Sequence, residues 1–508
     1  MTPIDTIQRS RTFPLSVGAC ALSLLGLLAP TTSAAQLIVV KTMPIADSDQ
    51  FSFFPSLTFG MGGTRIAVAD SVHDPFVNPA LGARIRQSHF FSAPTFFTVS
   101  GKAGSGSTVP IGALGKTGSS FGGAVVAIQS IKDAQPLGAT GLAGFFDAQS
   151  TSSADSRSNR YGFLLVGHTF ASSRVSLGAS AFWSDLGSID GTSLLYTDSR
   201  DVSQTGGGAD FRVGLLKEWN GGQSLEALVF TRRVGMTHDV TYGDPFFDPI
   251  SRQTIIRERL EHERDRTNTR GIHLEYVRPV GDSGWRAGVI LTANHIDNPS
   301  RPAYEIETAS GSRGRAAAFN VGFGVARSLG STILAADAIY EPIWSHIWGV
   351  SDTLATASAR TVQPGEKTSD SRLHFSNAVL RIGGSHELEL DRGAKAQMQL
   401  GVQARSISYK LEQHDLLNDA QRSGERSWME WMPTWGMMLR RSWIEFRYRG
   451  SKTTGTGRPG LPPFGDIAVP PQPGLGFGPI DVRTPGLTSA MRDVSVMTHQ
   501  VSISLLVR

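Results

Sequence analysis

Gly118-Ser119-Ser120-Phe121-Gly122 has the spacing of a nucleophile elbow. That motif works only where a strand turns sharply into a helix and lifts the serine out of the sheet. Here the next residues, Gly123 to Ile128, are apolar and strand-like. The pattern therefore reads as a hairpin turn. A serine hydrolase would also need a histidine partner. His168, His273, His295, His374 and His499 all fall in strand-like segments, with no spacing that selects a pair and no His-Glu-x-x-His zinc pattern. Gly60-Met61-Gly62-Gly63 lacks the Gly-x-Gly-x-x-Gly spacing of a phosphate cradle, and no helix opening on Lys-Ser/Thr follows it. The residues offer no catalytic group, metal site or cofactor site, so the chain reads as a non-enzyme. Charges remain: Asp337, Glu341, Glu445, Arg447 and Arg449 stand where they could line a wet interior or orient a ligand carboxylate.

The elements that would carry such an interior are strands. After about residue 85, segments recur in which one register is apolar and the other polar or small. In 395–409, Ala396, Met398, Leu400, Val402 and Ala404 oppose Gln397, Gln399, Gln403 and Arg405. Ile444, Phe446 and Tyr448 oppose Glu445, Arg447 and Arg449, and Val501, Ile503, Leu505 and Val507 oppose Ser502 and Ser504. The connections alternate between short turns, such as Asn220-Gly221-Gly222 and Gly281-Asp282-Ser283, and long polar stretches such as 131–159, 185–207, 243–267 and 451–491. Short turns at one end and long loops at the other are the pattern of a barrel crossing an outer membrane. Trp183, Trp219, Trp344, Trp431, Trp435 and Trp443 near strand ends suit its interfacial girdles. The pattern predicts an all-β, antiparallel up-and-down transmembrane barrel of sixteen strands, or fourteen if the first two belong to the N-terminal segment. Among them are strands over 208–219, 223–233 and 268–279.

Residues 1–35 read as a secretory signal: Arg9 and Arg11, an apolar run from Leu15 to Leu28, and a small-residue cleavage site at Ser33-Ala34-Ala35. Cleavage before Gln36 removes Cys20, the only cysteine, and with it disulfide and thiol chemistry. The formal charge of +4 is spread in mixed sign, with no Lys/Arg block that reads as a nucleic-acid surface. The mixed run Arg257 to Arg266 reads as a solvated external loop.

Residues 36–86 do not alternate. They carry Gly60-Met61-Gly62-Gly63, then Ala67-Val68-Ala69-Asp70, then Asn78-Pro79-Ala80 ahead of the first strand. That order resembles the long-chain fatty-acid transport family of outer-membrane barrels and its secretion-associated relatives. The likeness is specific over residues 59–89, with a second echo in Ala335-Ala336-Asp337. It implies a hatch over 36–86 folded inside a barrel over 87–508, fourteen-stranded in that family. Asp70, Asn78 and Pro79 would then belong to the hatch motif with the glycines. The final Arg508 departs from the aromatic residue on which such barrels commonly end.

The resemblance also sets the functional expectation: passive uptake of a fatty-acid-like or aromatic small molecule through a plugged barrel. Phe51, Phe53, Phe54, Leu57, Phe59 and Arg447 are the candidate ligand contacts, although packing of the hatch on the wall would explain the aromatics as well. The expected partners are that ligand, outer-membrane lipid and lipopolysaccharide, and the barrel-assembly machinery during biogenesis. The alternative is a scaffold for a surface-protein secretion or anchoring complex, suggested by the long connections 131–159 and 451–491.

Overall fold

A computed structural model describes residues 50–132, 156–191, 199–248, 250, 252–297, 313–351, 355–356, 361–459 and 491–507. The signal segment and most of the connections 131–159 and 451–491 lie outside the described residues. The strands are β1 (Ser88–Ser92 continuing as Thr95–Val99), β2 (Ser105–Thr117), β3 (Ser120–Lys132), β4 (Ser156–Phe170), β5 (Val175–Leu186) and β6 (Ser199–Glu218). There follow β7 (Ser224–Asp248), β8 (Gln253–Val280), β9 (Trp285–Asp297), β10 (Arg313–Leu329), β11 (Thr332–Val350) and β12 (Lys367–Glu389). The last are β13 (Lys395–Asp415), β14 (Ala420–Arg441), β15 (Ile444–Pro459) and β16 (Met491–Val507).

Each strand pairs antiparallel with the next, and β16 returns to β1 through Ser88↔Val507 and Val99↔Val496. The sheet is a closed barrel without an edge. β1 is broken at Ala93-Pro94, where proline has no N–H for the ladder, yet both halves pair with β2 and β16. The described wall therefore has sixteen strands, and the fourteen implied by the family resemblance is corrected. The two extra strands need no linker, because each addition is another hairpin of the same kind.

The alternation falls as the two solvents require. Leu400, Ile128, Val166 and Val126 are 70%, 67%, 65% and 63% exposed on the outside. Their inward neighbours, such as Gln129, Asp337, Thr434 and Ser502, are buried. A water-soluble sheet would not leave an apolar belt bare on nearly all its strands; lipid is the solvent that makes it favourable. The chain is an outer-membrane β-barrel. Trp183, Trp219, Trp344, Trp431 and Trp443 stand exposed on its outer surface.

One expectation changes. The stretches 185–207 and 243–267 are not simply loops: β6 begins at Ser199, and β7 and β8 run for 25 and 28 residues. The charged run Arg257–Arg266 is paired strand, with Arg259 opposite Tyr242. Since about 9–11 tilted residues cross a bilayer, these strands continue well beyond it on the long-loop side. There the outer face meets water instead of lipid, so the polar sequence hides a regular ladder, although Met236, His238 and Val240 of β7 stay buried on its inner face.

Candidate functional site

Residues 50–85, ahead of β1, lie inside the barrel. Their short helix α1 (Asp74–Val77) and the turns around it touch wall residues on strands all round the circumference. Gln50 is held by Gln129 of β3 (Nε2 donating to its carbonyl, 2.8 Å) and donates to the Ser188 carbonyl at 3.1 Å. On the other side Gln399 of β13 donates to the Leu57 carbonyl (2.6 Å), Arg449 of β15 to that of Ser52 (3.0 Å), and Gln500 of β16 to that of Phe53 (3.2 Å). Asp337 of β11 accepts the amides of Arg65 (2.8 Å) and Ile66 (3.4 Å). Asp337 is thus engaged with the segment's backbone.

Asp70 organises the segment itself. Its Oδ2 accepts from the Ser56 hydroxyl (2.7 Å) and from the amides of Leu57 (2.6 Å) and Thr58 (3.3 Å). Its Oδ1 accepts the amides of Val72 and His73 at 3.1 and 2.9 Å. One buried carboxylate therefore ties the 56–58 turn to the start of α1. Asp74 accepts the Asp70 amide at 2.7 Å, and burial, with Asp70 beside it, pushes its carboxyl well above the usual carboxylate range. Burial pushes His73 down to about 4, with Asp70 acting against that shift. At the other end of α1, Arg212 clamps Asp210 with two nitrogens (2.9 and 2.8 Å) and donates to the Val77 carbonyl (2.8 Å). Asn78 accepts the Ala80 amide at 3.1 Å and opens the 3₁₀ turn Pro79–Arg84.

The glycine motif meets glycines in the wall. Gly62 has a φ of +72° and donates to the Thr434 hydroxyl at 2.8 Å; that hydroxyl donates to the Gly60 carbonyl at 3.0 Å. A side chain on Gly62 would reach the Val402 carbonyl at 2.7 Å. Gly383 and Gly401 face Met61 and Gly62 backbone so closely that any β-carbon there would collide with it. The Asn78-Pro79 turn is received in the same way by Gly214 and Gly178, where a β-carbon would stand 2.5 Å from the Pro79 carbonyl carbon. The segment is seated backbone against backbone. Met61 fills the space beside these contacts, packing with Ala67, Ala326 and Ala335.

The candidate ligand contacts separate into two groups. Phe53 and Phe54 are buried in an aromatic stack: Phe54 lies 4.1 Å from Phe76 and Phe53 lies 4.9 Å from Tyr161, centroid to centroid, with Phe163 and Phe182 around them. Phe51 stands edge-on to Tyr161 and is only partly buried, as are Leu57 and Phe59. Phe59 carries the Arg449 guanidinium 3.8 Å above its ring. Arg447 lies at the short-turn end beside Ser56 and Leu57, where its Nη2 pairs with Glu445. Among the described residues its Nε and Nη1 have no hydrogen-bond partner.

Above the segment the lumen is layered. Toward the long-loop end the inward face of β9 to β13 is apolar, with Ile296, Ile343, Ile347, Leu373, Phe375 and Leu411 in one cluster. Beneath it comes a polar tier: Glu341, which accepts from Asn320 at 3.2 Å, with Arg381 and Arg405 within its electrostatic reach. Arg405 keeps an Nε without a partner among the described residues. Below that tier lies the seated segment. Neither the apolar cluster nor the receiving glycines announces itself locally in the sequence. The one available signal was the set of aliphatic residues standing in the inward register of β11 and β12.

Ser120 and His168 do meet, Oγ to Nδ1 at 3.2 Å, on neighbouring strands. Both face outward and are exposed, and the backbone around them is taken up by ladder pairing and by the Thr169 amide donating to Ser119. A hydrolase would need free amides for an oxyanion there.

No family model matches this chain, and no curated protein matches it. Solved structures similar to it include a FadL homologue from Pseudomonas aeruginosa, at 12% identity and a TM-score of 0.43 over 89% of this chain and 99% of that one. The Ralstonia pickettii toluene transporter TbuX is 10% identical, with a TM-score of 0.40 over 90% and 100% of the two chains. The Pseudomonas putida toluene transporter TodX is 10% identical, with a TM-score of 0.37 over 93% and 100%.

Proposed function

We propose that this barrel is an outer-membrane channel for passive uptake of hydrophobic small molecules, fatty-acid-like or aromatic, and that residues 36–86 act as its hatch. The observation that carries the reading is the order of layers in the lumen. A packed apolar cluster on the inward face (Ile343, Phe375, Leu411) lies toward the long-loop side. A polar tier of Glu341 with Arg405 and Arg381 lies beneath it, and a segment seated across the barrel lies below both. A general porin has a polar, water-filled lumen. An apolar body with one polar or anionic head fits this order better, its body on the cluster and its head at the arginines. Phe51, Leu57 and Phe59 would be met next, as the hatch yields.

Uptake of radiolabelled oleate and toluene by cells expressing the chain tests this. Uptake should exceed that of cells without it, persist after de-energisation, and fall in Phe375→Asp. Arg405→Gln should lower oleate uptake and spare toluene. Deleting residues 36–60 in a correctly assembled barrel should change the rate. Uptake no faster than in control cells, or equal acceleration of a small sugar, would overturn the reading.

A further inference from the structure

The outer surface carries a second feature that the transport reading does not use. Across β6 to β10 the lipid-facing wall is dented into a groove of about 680 Å³. The cause is side-chain size: Ala293 and Ala317 stand where neighbouring strands carry larger groups, and behind them the space at Gly271 is filled from within by Phe230 and Asn294. Phe211, Val213, Val229, Ile272 and Phe319 frame the depression. Its edge toward the long loops is Arg270 and His295, which pair across β8 and β9.

One step further toward the loops stand Arg233, cross-strand from Asn268, and Arg315, cross-strand from Asp297. All three arginines are exposed on the outer face. Among the described residues none joins an ion pair, and Asp297, the carboxylate between them, is engaged with His295 at 3.3 Å. Arg233 and Arg315 are separated by three strand spacings, roughly 14 Å at about 4.8 Å each. Elsewhere on the outer face, Arg160 and Lys132 are exposed cations on strands that do not line the groove.

We propose that this groove and its arginines form a binding site for a bisphosphorylated, multiply acylated glycolipid of the outer leaflet, the lipid A portion of lipopolysaccharide. An acyl chain lies in the groove, and the phosphates span Arg233, Arg270 and Arg315. The groove alone would hold any lipid tail, and a single arginine any anion. An apolar depression capped by cations spread over about 14 Å selects a lipid with two phosphates. The site is on the outside of the wall, so it stands or falls independently of uptake.

Native mass spectrometry of the purified full chain with added hexa-acylated lipid A tests the site, with unboiled electrophoretic mobility confirming that each variant is a folded barrel. The wild type should retain one lipid A. Arg233→Gln/Arg270→Gln/Arg315→Gln should lower retention about tenfold or more, given the contribution of each cation at an anionic surface. Ala293→Trp, which fills the groove and keeps the arginines, should lower it severalfold. Arg160→Gln/Lys132→Gln should leave it unchanged. Equal retention by the wild type and the triple variant would overturn the site. So would equal retention of lipid A and its dephosphorylated form, or of phosphatidylglycerol. Unchanged retention by Ala293→Trp would remove the groove from it.

Discussion

The Thr434 hydroxyl accepts the amide hydrogen of Gly62 at 2.8 Å across a sequence separation of 372 residues. It donates in turn to the Gly60 carbonyl at 3.0 Å, so one wall side chain satisfies both ends of the glycine turn. Thr434→Val keeps the volume and removes both bonds. Two buried backbone groups would then lack partners, which costs about 1–3 kcal/mol each before relaxation. Hydrogen exchange of peptides from residues 50–70 should speed up at least tenfold, while peptides from β13 and β14 stay protected. Unchanged exchange in the segment would show that the glycine turn is held by packing alone.

Gly401 and Gly383 should be the least tolerant positions on the inner wall. A β-carbon at either would enter the backbone of Met61 and Gly62. Gly401→Val should therefore still form the barrel, because valine suits a strand, but it should unseat the segment. Planar-bilayer recordings should show larger and longer openings than the wild type. A closed trace identical to the wild type would mean that the segment can shift aside and reseat.

The wall was legible because lipid and lumen enforce a two-residue period, and that period survives in one sequence without other information. Met398 and Leu400 are exposed outward, while Gln399 and Gln403 point inward, as their register requires. Outside the bilayer that constraint ends, so the outer halves of β7 and β8 read as polar loop although they are paired strand. The segment's own glycines were visible as a motif. Their receivers were not: a glycine at 214 or 383 looks like any weak strand position until the chain facing it is known. Phe53 and Phe54 could equally have been greasy surface or packing by composition alone. Only the ring contacts place them in the stack.

His73 and Asp74 give the seated segment two opposing pH dependences. Burial lowers His73 to about 4 from 6.5, so docking is favoured above about 6.5 and loses stability as pH falls toward 4. Asp74 is raised, so its contribution is greatest below its unfolded value near 3.9 and is lost as pH rises through the folded one. Asp74→Asn leaves the histidine alone: after correction for the intrinsic exchange rate at each pH, its segment should be less protected at pH 5 than at pH 7.5, by about 1–2 kcal/mol. His73→Gln should show the reverse slope. The same slope in both variants would mean that the coupling to these two groups is wrong.

The lipid face can be tested on β13, where the two registers are cleanest. Leu400 is 70% exposed on the outside of the wall, five residues into the strand from the short-turn end. An arginine there must take its charge into hydrocarbon or bend toward the interface, at a cost of about 2–4 kcal/mol near the midplane and less toward either surface. Leu400→Met keeps an apolar side chain of similar size and should be near neutral. Gln403 is not a neutral inward control, because its Oε1 accepts from Arg381 at 2.8 Å and a second cation there would face the first. Urea titration of folding into phospholipid vesicles should give a lower midpoint for Leu400→Arg than for Leu400→Met. Equal midpoints for the two Leu400 variants would mean that hydrocarbon does not contact this face, since a one-residue slip of register would turn every side chain of the strand to the opposite side.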